Sequence, residues 1–140
     1  QLMHTWQLEK RFVAICPELA GGLKTPRTPA EIQSQHLKAA QGVIVKTKAG
    51  DDVTEAFLMG AQQALALAQA QQCRFALLAA KSPSCGNDQV YDGRFQHRLI
   101  DGAGVTARLL QKNGIQVFNQ HQLAQLQLAI NEFESFSSNA

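Results

Sequence analysis

The sequence predicts an α/β domain built on a parallel sheet, and two observations carry that prediction. Apolar runs that do not alternate, such as "RFALLAA" (74–80), have the pattern of strands covered by helices on both faces. These runs take turns along the chain with segments of helical periodicity, the order expected of a doubly wound sheet. At 140 residues, 45% hydrophobic and 17% charged, the chain has material for one core and the balance of a folded domain. A single domain over 1–140 is expected, without repeat or linker and with a frayed Ser/Asn tail at about 135–140.

The opening "QLMHTWQLEK" is amphipathic and lacks the apolar centre of a secretory signal. The chain starts inside this helical pattern, not at a methionine, so a strand ahead of it is expected to be missing. "RFVAICPE" (11–18) predicts a buried strand stopped by Pro17. Residues 19–32, rich in Gly and Pro, predict a long loop of the kind that carries function. "GVIVKT" (42–47) is strand-like through its β-branched residues, and "KAGDD" turns the chain.

The strongest helix signal spans 51–72. Asp52 and Glu55 resemble a capping box, and Phe57, Ala61, Ala64, Leu65 and Ala68 share one face. After the strand at 74–80 comes a loop, 81–102, carrying "SPSCG" and "YDG". A helix is expected over about 103–112, with Gly114 as its stop, followed by a strand at 115–118. Asn119 is placed to cap a final helix whose stripe is Leu123, Leu126, Ile130 and Phe133.

A net charge of +2 gives no strong footprint for unaided nucleic-acid binding, and no apolar run approaches the ~20 residues of a membrane span. Three cysteines, an odd number without a signal peptide, argue against a disulfide framework and for a reducing, cytoplasmic setting.

Cys16 closes the first strand and Cys85 follows the strand at 74–80, so both fall at carboxyl ends of strands, where open α/β sheets collect ligands. Thiolates there suit iron–sulfur clusters or zinc, although a small buried hydrophobe is an equally ordinary role for cysteine. Cys73 stands at the start of its strand, the opposite edge, and is expected to pack. Glu18 and Ser82 would converge with the two cysteines, a carboxylate and a hydroxyl suited to moving protons. On spacing alone the ordinary readings, a surface carboxylate and a turn-forming hydroxyl, are the stronger ones.

His4, His36, His97 and His121 show no paired metal spacing. "DGAGVTARLL" (101–110) sets glycines ahead of a helix, a weak signal for anion binding at its N-terminus. Arg27 is a further candidate anion contact on the long loop.

Taken together, "ICPELAGGLKTPRTPAEI", "DDVTEAFLMGA", "SPSCG", "YDGRF" and "GAGVTARLLQKNGIQVF" resemble, in the same order, the bacterial domain-of-unknown-function family 523 (DUF523), itself similar to the thiouracil desulfidases. The resemblance covers the chain up to about residue 120. It implies a Rossmann-like parallel sheet flanked by helices and, in some members, a [4Fe-4S] cluster on three cysteines with one iron left open. It further implies removal of sulfur from a thiolated pyrimidine, thiouracil to uracil plus sulfide, without net redox change.

Cys16 and Cys85 match two cluster-ligand positions and Glu18 and Ser82 match the proton-transfer positions; Arg27, Gly86 and Asp92 are further candidate substrate contacts. The family's N-terminal Cys-Leu-Leu-Gly and Arg-Tyr-Asp-Gly motifs do not occur here, and Lys24 replaces a usual proline. The third ligand is therefore expected upstream of Gln1; otherwise the cluster is absent from this chain. Two other readings stay open: a non-catalytic module binding a cluster or small ligand, and a metal-free enzyme with Cys85 as nucleophile.

Overall fold

The computed structural model describes residues 12–33 and 43–138, and the long helix predicted from the sequence lies at its centre. The described elements, in chain order, are α1 (Pro17–Ala20), β1 (Ala30–Ile32), β2 (Val45–Thr47), α2 (Thr54–Ala70) and β3 (Phe75–Leu77). They continue with β4 (Gln89–Tyr91), β5 (Leu99–Asp101), α3 (Val105–Lys112), β6 (Gln116–Phe118) and α4 (Leu123–Ser138). The opening segment, His4 and His36 lie outside the described residues.

Helix α2 starts one residue later than the capping-box pattern suggests. Its N-cap is Val53, while Asp52 Oδ1 accepts the Thr54 N–H at 2.9 Å. The predicted face turns inward: Phe57, Ala61 and Ala64 are buried, and Leu65 and Ala68 are half-buried. Phe57 and Ala61 join Ile32, Val45, Val90 and Val105 in one core cluster. Full burial of an aromatic such as Phe57 contributes about 1.5–3 kcal/mol.

The sheet is only partly the one expected. β3 and β6 pair in parallel, Phe75 opposite Gln116 and Leu77 opposite Phe118, and a parallel bridge joins Lys81 to Val90. The other two described pairs are antiparallel. β1, inside the stretch expected as loop, pairs with β2, which falls in the strand expected at 42–47, Ala30 opposite Thr47, and β4 pairs with β5, Tyr91 opposite Leu99, inside the loop at 81–102. β1, β4 and β5 are three-residue strands that a composition rich in Gly, Pro and Asp conceals.

The strand expected at 11–18 is not formed among the described residues. Phe12, Val13 and Ile15 are 45%, 46% and 38% exposed, because no described strand pairs with this segment and covers it. They line instead one side of an apolar cleft of about 680 Å³. Its other walls are β3 (Phe75–Leu77), α2 (Ala64, Leu67, Ala68) and α4 (Leu126, Ile130).

Gly114, at φ +81°, ends α3 as the sequence predicts. Asn119 does not cap α4 directly. Its Oδ1 accepts the His121 N–H at 2.9 Å and shapes the turn before the helix. Along α4, Leu126 is buried, Leu123 and Ile130 are half-buried, and Phe133 packs edge-on to Phe75 beneath Arg74. The helix continues to Ser138, into the stretch expected as a frayed tail.

Candidate functional site

Two short backbone turns carry the predicted site residues, and each is fastened to a helix through glycine. The first is α1. Cys16 is its N-cap, Pro17 its first residue and Glu18 stands in its only turn, the position where proline's fixed φ suits a helix start. Gly21 and Gly60 let this turn lie against α2. A Cβ on Gly21 would stand 1.9 Å from the Ala56 carbonyl oxygen, and one on Gly60 1.9 Å from that of Pro17. No other residue pair allows backbones this close.

The second turn is "SPSCG". Ser82 Oγ accepts the N–H groups of Ser84 (3.1 Å) and Cys85 (3.2 Å), and the Ser82 carbonyl accepts that of Gly86 at 2.9 Å. The turn's own carbonyls point into the first turn of α3. Val105 donates to Pro83 O (2.9 Å), Thr106 and Ala107 to Ser84 O (2.8 and 3.1 Å), and Gly104 to Gly86 O (2.7 Å). These are the N–H groups that a helix start leaves unsatisfied. They are already used, so the glycine-led start of α3 holds the cysteine turn and not an anion.

A Cβ on Gly104 would meet the Ser84 carbonyl carbon at 2.4 Å, which is why glycine stands there. The buried Ser84 and Thr106 hydroxyls share a 2.7 Å hydrogen bond that fastens the same contact.

A polar cluster holds the far side of the turn. Asn87 Nδ2 donates to Val117 O (3.1 Å) and Gln122 Oε1 (2.8 Å), and Asn119 Nδ2 donates to Asn87 Oδ1 at 2.9 Å. Thr106, Asn87 and Gln122 were not among the residues the sequence singled out, and Asn119 was singled out only as a helix cap. Their only trace there is polarity at the ends of apolar runs.

The structure joins four of the predicted residues in two pairs, Arg27 with Glu18 and Ser82 with Cys85. Arg27 Nη2 lies 2.5 Å and its Nε 2.7 Å from the same Glu18 oxygen, Oε2, while Nη1 donates to Thr25 Oγ1 at 2.9 Å. Arg27 is thus the partner that orients Glu18. The Cys85 thiol, half-buried, is pushed up from its ordinary value chiefly by burial. The Glu18 charge pushes it the same way, and hydrogen bonds to the Ser84 and Ser82 hydroxyls and the Ala79 backbone pull it back. Cys85 therefore sits past the end of β3, beside Ser82 and within the field of Glu18.

The other predicted residues stand apart from this group or beneath it. Cys16 joins it through its place two residues ahead of Glu18, with an exposed side chain. Gly86 is buried, and a Cβ there would meet Gln89 O at 2.7 Å, a packing reason for the glycine. Asp92 is buried in the β4–β5 tip, where Oδ1 accepts the Arg94 N–H at 3.0 Å. Cys73 lies before β3 at the opposite end and lines the apolar cleft. All three cysteines are free. No described helix is long and apolar enough to cross a membrane.

Comparison with known proteins places this arrangement. The family model described as 2-thiouracil desulfurase matches residues 1–122. The uncharacterized protein YbbK of Bacillus subtilis (strain 168) is 42% identical over 118 residues, covering 82% of this chain and 78% of that protein. The solved structure of the [4Fe-4S]-dependent thiouracil desulfidase TudS (DUF523Vcz) is similar at a TM-score of 0.85 and 46% identity, over 94% of this chain and 82% of that one.

Proposed function

The chain belongs to the 2-thiouracil desulfurase family, and from that premise we propose that it removes sulfur from a thiolated pyrimidine. The exocyclic sulfur leaves as sulfide and a water oxygen takes its place on the ring carbon. The C=S bond is exchanged for C=O, two water protons go to the departing sulfur, and nothing is oxidised or reduced. Two observations support this reading: past the end of β3 the Ser82 hydroxyl accepts the Cys85 N–H, and the Glu18 charge is felt at the Cys85 thiol.

In this reading Glu18 takes a proton from the attacking water, with Arg27 fixing the carboxylate through Oε2. The Ser82 oxygen is held in place by two backbone N–H groups, and its hydroxyl proton is directed to the departing sulfur.

Cys16 and Cys85 fit an iron–sulfur cluster in donor type, since thiolates are its usual ligands. They fall short of it in number. No set of three or more His, Cys, Asp or Glu that could hold a metal ion occurs among the described residues. We assign these two as ligands and a third to a residue outside the described set. A bound cluster would supply a soft, electron-accepting iron that favours sulfur over oxygen. A nearby cation would also reverse the upward push on the Cys85 thiol, because a coordinated thiol is deprotonated.

The test is anaerobic reconstitution with iron and sulfide, followed by 2-thiouracil. Uracil and sulfide are expected in equal amounts, with Glu18→Gln and Ser82→Ala each lowering kcat by about 100-fold or more. A protein that takes up the cluster and leaves 2-thiouracil untouched would overturn the enzymatic reading in favour of a cluster-binding module.

A further inference from the structure

Glu31 is a buried carboxylate, 8% exposed, that the chemistry above does not use. It stands in the middle of β1 and reaches across to the β4–β5 tip. Its Oε1 accepts two backbone N–H groups there, Gly93 at 2.9 Å and Phe95 at 3.1 Å. The tip needs such a hold. Gly93, Phe95 and His97 all have left-handed backbones, at φ +97°, +58° and +57°, a conformation that non-glycine residues adopt at a cost and keep only when their surroundings impose it. The Asp92 N–H donates to Arg98 O at 2.9 Å and closes the base of the tip.

The tip rises on the same edge as the site. Lys81 and Val90 are bridged in parallel, so one residue further along the two segments stand Ser82 and Tyr91. The Tyr91 ring meets the His97 ring edge-on, with centroids 5.9 Å apart and planes at 85°. His97 can make this contact only with the tip folded back on itself, which is the shape the Glu31 hydrogen bonds enforce.

We propose that Glu31 is a positioning residue, which by holding the 92–98 tip closed presents the Tyr91–His97 pair beside Ser82 as the wall against which the planar pyrimidine ring binds. This rests on the desulfuration proposed above. A flat heteroaromatic ring gains from such an aromatic wall whichever sulfur or oxygen it carries. The Glu31 contribution is therefore to substrate binding and not to the chemical step.

Both hydrogen bonds end on one oxygen, so Glu31→Gln keeps the acceptor while Glu31→Ala removes it. In cluster-loaded protein, Glu31→Ala is expected to raise the KM for 2-thiouracil by about tenfold, the scale of one lost stacking contact, with kcat and iron per chain near wild type. Amide hydrogen exchange at Gly93 and Phe95 should accelerate in the same variant. Glu31→Gln should match wild type in both measurements. Gly93→Ala, which strains the tip while leaving Glu31 intact, should reproduce the KM rise and decides the matter if Glu31→Ala does not fold.

Faster exchange at Gly93 and Phe95 with an unchanged KM would overturn the proposal. So would a fall in kcat with loss of iron and no change in KM, which would put Glu31 behind the cluster and not the ring. Wild-type protein that takes up the cluster and does not convert 2-thiouracil would instead overturn the desulfuration reading, and this proposal with it.

Discussion

Burial and the charge of Glu18 both disfavour the thiolate of Cys85, so the metal-free protein should show an ordered thiol chemistry. Exposed Cys16 is expected to react first with iodoacetamide at neutral pH, with Cys85 lagging until the pH rises past the ordinary thiol range. Glu18→Gln removes the like charge and should speed the Cys85 reaction, read by mass spectrometry of the labelled peptides. A second titrating residue lies far from this chemistry. Hydrogen bonds from Thr54 hold the Asp52 carboxyl below its usual value. A depressed carboxylate stabilises the fold above its unfolded pKa, and that contribution is lost as pH falls through the lower folded value. Asp52→Asn should therefore flatten that part of the acid-unfolding curve while changing little in the alkaline range. Of the residues here, Cys16, Cys85, Glu18 and Ser82 stand out in the sequence through the motifs that carry them. Glu31 does not, because a carboxylate in a Pro-rich stretch looks like solvated loop until the antiparallel pairing of β1 with β2 turns it inward.

Helix α3 and the cysteine turn act as one element. Replacing Thr106 by Val leaves the buried Ser84 hydroxyl without its partner and should cost about 1–3 kcal/mol. Adding Ser84→Ala to it should recover most of that loss, since both polar ends of the bond are then gone. Denaturant unfolding of the two single variants and the double variant measures the coupling. Gly104→Ala forces a methyl onto the Ser84 carbonyl and should cost about 1–3 kcal/mol or more, lowering iron uptake as the turn shifts. The existence of α2 and α4 was legible from their apolar stripes, and that of α3 from the glycine that stops it. The β4–β5 hairpin was hidden, because three-residue strands have too few positions to show a period.

Over the whole molecule, the net charge of +2 is too small for strong steering by phosphates. The KM for free 2-thiouracil should stay flat with ionic strength, and any binding to single-stranded RNA should show a shallow salt slope, about that of a few phosphates at most. The α/β class was legible from alternation, while the mixed pairing was not, because pattern reports burial and leaves strand direction open. One consequence of the glycine contacts reaches across both halves of the site. Through Gly21 and Gly60, Glu18 travels with α2; through Gly104, Cys85 travels with α3; and α2 and α3 pack closely on each other. The two helices are then the arms of a calliper, and their spacing sets the distance between the two turns they carry. A substitution that spreads the two helices would therefore shift Glu18 and Cys85 relative to each other without touching either side chain.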